Sequence, residues 1–159
     1  MAAAVAGRPD AVHLFFWAAA HWGLWGETTG VVSAARRGVA AKVRQRAEAV
    51  IAIDERFAGG GGLRILGRLH TEAPRIPLVT AWVDRGVAVS SLERATRLAP
   101  EEPQNRLYLA DALLRFRRQR SDEARDMLQA LIRESPRPDF LLEDEESLAA
   151  ARQLLAGFR

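Results

Sequence analysis

The chain has 159 residues, 48% of them hydrophobic and 27% charged, with a net charge of +3. That balance suits one folded domain that buries its own core, and it excludes an intrinsically disordered chain. No cysteine is present, which rules out a disulfide framework, a thiolate zinc site and a cysteine nucleophile.

Apolar residues recur at intervals of three and four almost throughout, and no stretch keeps the two-residue alternation of a strand for long. The pattern predicts seven helices. The first, Asp10–Thr28, follows Arg8-Pro9, with Asp10 placed to cap it. Its apolar run from Ala11 to Gly26 falls short of the roughly 20 residues that a membrane span needs. His13, His21 and Glu27 also interrupt it, so no membrane insertion is expected. Phe15, Phe16, Trp17, Trp22 and Trp25 crowd this one helix. These are too many rings to hide behind one neighbour, so some should face a partner, a second copy of the chain or an apolar pocket.

The second predicted helix is Ala34–Phe57. The run "FAGGGG" at Phe57–Gly62 reads as a flexible connector into a third helix, Gly62–Glu72. It is not a phosphate loop, because no Gly-Lys-Ser/Thr follows and no strand precedes it. Next comes "APRIPLVTAW", Ala73–Trp82, which is apolar yet holds two prolines. Two readings stay open. It folds over the core with Ile76, Leu78 and Val79 tucked in, or it forms a lid on a cavity between helices.

The remaining helices are Asp84–Leu98, Gln104–Phe116, Ser121–Glu134 and Glu143–Gly157, with Ser121, Asp122 and Glu123 capping the sixth. Arg115, Arg117, Arg118 and Arg120 form a short basic run at the end of the fifth. A helix C-terminus carries negative partial charge, so this run reads as a solvated helix end, and no nucleic-acid partner is expected. "EDEES", Glu143–Ser147, reads likewise as a solvated acidic first turn.

A repeated frame organises these helices. Ala88, Leu92, Ala95 and Pro100 recur in spacing as Ala124, Leu128, Leu131 and Pro136, with a faint copy at Val43, Ala47 and Val50. Upstream of each lies a second frame: Trp22, Trp25, Gly26 and Thr29; Leu63, Leu66, Gly67 and His70; Arg106, Leu109, Ala110 and Leu113. Small residues at these spacings let two antiparallel helices cross closely and stack on the next pair, as in tetratricopeptide repeats. The anchors Gly26, Gly67 and Ala110 lie 41 and 43 residues apart, longer than a strict period of about 34. The expected fold is therefore all-α: divergent tetratricopeptide-like hairpins stacked into a short solenoid with a C-terminal capping helix. Residues 1–159 form a single domain in this reading.

Catalytic chemistry is hard to assemble from what is left. No histidine pairs with another, or with a carboxylate, at metal-ligand spacing, and the three read as packing residues. Ser90 and Ser91 lack a nucleophile-elbow context. No enzyme, metal or cofactor is expected. A small-molecule enzyme on the same helices is the least favoured alternative, and a cytoplasmic adaptor unrelated to transport is another.

The order "FWAAAHWGLWGETTG", "VRQRAEAVIAIDERFAGGGGLRILGRLH", a Pro-containing insertion, then "AVSSLERATRLAPEEPQNRLYLADALL" resembles the T component of tripartite ATP-independent periplasmic (TRAP) transporters. The resemblance runs from about Val12 to Pro136. Its most specific pieces are the Trp-Gly-Leu-Trp helix, the glycine run leading into Leu66-Gly67, and Leu98-Ala99-Pro100. It implies a periplasmic helical-repeat protein that associates with a substrate-binding P component, forms homo-oligomers and holds an apolar ligand. Family members carry a secretion or lipoprotein signal and further helices before the Trp-rich helix. This sequence shows neither, nor a lipid-accepting cysteine, so the expectation is a chain lacking the family's N-terminal helices. The insertion also departs from the Gly-rich turn common in the family.

In a stacked arrangement the first helices of successive pairs line one concave side. That places Trp22, Trp25, Leu66, His70, Leu109 and Leu113 on a common wall, with Trp82 brought over them and Arg64 or Arg75 available to a polar group. A carboxylate with an apolar tail is the expected ligand.

Overall fold

The computed structural model describes residues 10–29 and 37–157. Seven α-helices make up the described fold: α1 (Ala11–Thr29), α2 (Val39–Ile53), α3 (Phe57–Glu72), α4 (Arg85–Leu98), α5 (Pro103–Phe116), α6 (Ser121–Leu131) and α7 (Leu141–Gly157). No strand occurs among the described residues. The all-α expectation holds. Each helix packs on the next in the chain, and the odd-numbered helices also meet in succession, α1 with α3, α3 with α5 and α5 with α7. Among the described residues no helix is long and apolar enough to cross a membrane.

The repeated frame supplies the inner faces. Ala88, Leu92 and Ala95 of α4 are completely buried, as are Ala124, Leu128 and Leu131 of α6. The faint copy in α2, Val43, Ala47 and Val50, is buried as well. Ala110 of α5 is fully enclosed, and Gly67 of α3 sits directly on α4. A Cβ at Gly67 would stand 2.5 Å from Leu92 Cγ and 3.2 Å from the Ala88 carbonyl oxygen. These small residues set how closely the helices cross.

Several local expectations need correction. The glycine run is no loose connector. Ala58, Gly59 and Gly60 have positive φ, which turns the start of α3 sharply before it becomes regular at Gly61. Gly60, Gly61 and Gly62 are buried. A Cβ at Gly61 would meet the Phe16 ring, and one at Gly62 would meet Val50 and Ile51. The run is thus a crossing point for α1, α2 and α4. Phe57 belongs to this turn rather than to the end of α2, which stops at Ile53. Ala34, the expected start of the second helix, and Arg8-Pro9 lie outside the described residues.

Ser121 does not cap α6, because it stands inside the helix and no side chain caps that end. The acidic turn of α7 is not all solvated either. Asp144 is buried and accepts hydrogen bonds from the Arg137 backbone N–H (2.8 Å), Nε (2.8 Å) and Nη2 (2.7 Å). These bonds hold its carboxyl below the usual carboxylate range. Two arginines of the basic run, Arg115 and Arg120, are held in ion pairs. Arg115 binds Asp111 (2.7 Å) and Glu72 (3.1 Å), and Arg120 binds Glu93 (2.5 Å) and Glu123 (2.7 Å).

One substitution made at two glycines separates packing from helix propensity. In open helix, Gly→Ala stabilises by up to about 1 kcal/mol, and a Cβ at Gly23 meets nothing within 4 Å. At Gly67 the methyl is driven into a fully buried Leu92, and overpacking of about 1–3 kcal/mol outweighs the propensity gain. Urea melts should show Gly23→Ala at or above the wild-type midpoint and Gly67→Ala below it. Equal midpoints would remove the close crossing of α3 on α4.

Candidate functional site

Helices α1, α2, α3 and α5, with the insertion, line a half-open cavity of about 540 Å³. Phe16, Ala19, Ala20 and Gly23 form its α1 wall, and the first turn of α2 closes the end near Val39. Ile65, Leu69 and the polar Arg64, Arg68 and Glu72 supply the α3 floor, with Gln104 and Tyr108 of α5 beyond them. The insertion completes the rim through Pro74, Ile76, Val79 and Thr80. The lining is mostly apolar, with a few polar groups set into it, as in ordinary small-molecule sites of roughly 300–1,000 Å³.

The insertion is ordered by its own bonds. Thr80 Oγ1 donates to the Pro74 carbonyl (2.5 Å) and accepts from the Ile76 N–H (2.9 Å). This turn puts Ile76 and Val79 on the cavity. It sends Leu78, at φ 65°, fully into solvent. Leu78 is therefore not tucked into the core.

The polar groups of the floor differ in their commitments. Arg68 Nη1 lies 2.8 Å from Asp111 Oδ2 and 2.8 Å from Glu72 Oε1, and its guanidinium stacks on the Tyr108 ring at 4.8 Å. With Arg115 these groups form a balanced network of two cations and two carboxylates. Arg64 bonds only to neutral acceptors: Asn105 Oδ1 (3.0 Å), the Ala58 carbonyl (3.3 Å) and the Gly59 carbonyl (3.5 Å). Burial pushes the Arg64 guanidinium below its ordinary pKa.

Of the nine residues expected to line a ligand site, Arg64 alone reaches this cavity. Trp22 and Trp25 pack edge to face at 5.8 Å, under Lys42 and Arg37 respectively. Leu109 and Leu113 are buried in the core of the C-terminal half. Leu66 is half-buried on the neighbouring face of α3. Arg75 is exposed and donates through Nε to the Ala81 carbonyl at 3.1 Å. His70 and Trp82 do meet, edge to face at 5.4 Å, but behind α3, with Arg44 over the indole at 4.8 Å. The displacement is regular. Ile65 and Leu69 replace Leu66 and His70, and Tyr108 replaces Leu109, each one residue earlier. One helical residue is about 100° of rotation, enough to turn a core face into a cavity face.

His70 has a structural task at the end of α3. It is buried, and its Nδ1 accepts the Asp84 backbone N–H at 2.9 Å, which requires the neutral ring. Asp84 in turn caps α4 by accepting from Gly86 (2.6 Å) and Val87 (3.1 Å). Arg85 reaches back to the carbonyls of His70 and Thr71 at the C-terminus of α3. Cation and cap together fasten the two ends of the insertion. His13 and His21 are exposed. Among the described residues no group of three His, Asp or Glu side chains converges as a metal site requires.

No protein-family model matches the chain, and no curated protein matches it.

Burial, and then the nearby Arg44, hold His70 below its ordinary pKa of 6.5; Asp84 and Glu48 act in the other direction, and Arg85 adds to the lowering. The unfolded chain therefore binds the proton more readily than the fold does. Stability should be complete above about pH 6.5 and fall as the pH drops through the lower folded value. Replacing His70 with Asn keeps an acceptor for the Asp84 N–H and removes the titration. Thermal midpoints across this window should slope in the wild type and flatten in His70→Asn. The same slope in both would move the titration elsewhere.

Proposed function

We propose that this chain is a non-enzymatic helical-repeat module that binds a partner protein and carries an apolar small molecule in the cavity between α1, α3 and α5. The observation that carries the reading is the cavity itself, about 540 Å³ and mostly apolar. Well-packed interiors leave few voids larger than a water molecule. A space of this size, ringed by ordered side chains and rimmed by an internally bonded insertion, fits a site for a ligand.

The tetratricopeptide-like reading draws support from two features. Consecutive helices pair, and alternate helices touch in series. The small residues of both frames also fall where helices cross. The resemblance to the TRAP transporter T component rests on the sequence and suggests a substrate-binding P component as the partner. The outer face of α1, with Leu14 and Trp17 more than half exposed, supplies apolar surface for a partner or a second copy.

Dodecanol tests the cavity, because it offers an apolar chain without charge. Calorimetric titration should give saturable one-to-one binding. Ile65 lines the cavity and is half-buried, so Ile65→Trp should fill the space and reduce that affinity at least about tenfold while helical circular dichroism is kept, a factor equal to about 1.4 kcal/mol. No saturable heat with the wild type would remove the ligand-carrying half of the proposal. A complex between the chain and a purified P component, resolved by sedimentation, addresses the partner half.

A further inference from the structure

Arg64 stands apart from every other cation around the cavity. Arg68 is neutralised by Asp111 and Glu72. Arg75 lies outside the cavity lining and is exposed. Arg64 lines the cavity, and among the described residues no carboxylate oxygen pairs with it; its partners are an amide oxygen and two backbone carbonyls.

Its placement is imposed from behind. Asn105 is completely buried, and its Nδ2 donates to the carbonyls of Gly59 (2.9 Å), Ala95 (3.1 Å) and Ala99 (3.3 Å). Three carbonyls only accept, so the amide has one orientation and Oδ1 must face Arg64. The two hydrogens of Nη1 then have Asn105 Oδ1 and the Gly59 carbonyl as acceptors, and Nη2 has the Ala58 carbonyl. Among the described residues that leaves Nε–H and one Nη2 hydrogen without an acceptor, and neighbouring Nε and Nη donors are the pair with which arginine grips an anion. The Glu102 carboxylate acts on Arg64 from a distance but is ion-paired with Arg137, so burial still dominates at Arg64, and a cation held in this way gains from a ligand that supplies a directly bonded counter-charge.

Resting on the cavity reading above, we infer that the ligand is an amphiphile with an anionic head, and that Arg64 is the residue that selects that head while Asn105 positions it. The apolar tail lies along Ile65, Leu69 and the α1 wall. A carboxylate is the simplest head that pairs with the two free donors. The site needs no metal and no covalent step.

The test compares dodecanoate with dodecanol and with methyl dodecanoate, all below micellar concentration, by calorimetric titration of the full chain. All three carry the same tail, and only the first carries charge. Dodecanoate should bind about tenfold or more tightly than either neutral probe, since an unpaired, part-buried guanidinium gains a charge-assisted bidentate partner. In Arg64→Gln the three affinities should converge, chiefly through loss of dodecanoate binding. Equal affinities in the wild type would overturn the role of Arg64 and leave the apolar cavity standing. Preference for dodecanoate that survives in Arg64→Gln would place the anion elsewhere and also overturn it. If none of the three binds, the cavity reading fails and this inference fails with it. The wild-type comparison needs no variant, so a poorly folding Arg64→Gln does not shield the proposal.

Discussion

Asn105 holds together the parts of the fold that create the cavity. Its amide reaches the carbonyl of Gly59 at the bent start of α3, and those of Ala95 and Ala99 at the end of α4. Those carbonyls lie at helix ends or turns, where backbone groups lack some intrahelical partners. A fully buried amide with its donors satisfied costs little; each of its two N–H donors left without an acceptor would be a buried polar group unmet, at about 1–3 kcal/mol. Three chain segments are therefore fixed by one side chain. Asn105 also sits at the third position of α5, so the start of that helix is fixed with them. The register of α3, α4 and α5 follows from this junction.

Close crossing does the rest. With Gly59 and Gly60 at positive φ, the chain reverses between α2 and α3 without a long loop, a conformation that costs glycine little. Gly60 then rests on Ala95, its virtual Cβ 3.2 Å from the Ala95 Cα, and Gly67 rests on Leu92 one and a half to two turns later. Beyond the Gly61–Phe16 crossing, α3 diverges from α1, and its face toward α1 and α5 is less closely packed than its face on α4 and α2. The side chains there, Ile65, Arg68 and Leu69, bridge part of the gap, and the remainder is the cavity.

The helical class and the inner faces were legible because they depend on periodicity and on small residues at fixed spacing. Ala88, Leu92, Ala95, Ala124, Leu128 and Leu131 are all fully buried. The cavity was less legible: of the residues expected to line a ligand site, Arg64 alone is in its lining. A Leu next to an anchor glycine looks equally suited to core or cavity in sequence, and only the packing decides which of Leu66 and Ile65 faces inward. Trp82 was expected over the wall. It went to Arg44 and His70 instead, because the cation over the indole and the edge-on imidazole give that ring partners behind α3. Asn105 gave one available signal: an uncharged polar residue three positions before Tyr108 in an otherwise amphipathic helix start. Its three partners lie 46, 10 and 6 residues away, and such distances cannot be read from a local pattern.

The rim of the cavity shows how the fold secures a wall made of loop. Leu78 has φ 65° and a fully exposed side chain, an arrangement that costs a residue with a Cβ about 1–2 kcal/mol. Nothing at Leu78 itself offsets this. The compensation lies on either side, in the two bonds of Thr80 Oγ1 and in the Arg75 Nε bond to the Ala81 carbonyl. Beyond them, His70 accepts the Asp84 N–H and Arg85 clasps the end of α3, so both ends of the insertion are anchored to the same helix. A loop held in this way keeps Ile76 and Val79 on the cavity without help from a ligand. Ordering the rim before binding removes an entropic cost from the binding step. Under the proposal of a ligand-carrying cavity, the local strain at Leu78 belongs to a rim that is formed before the ligand arrives.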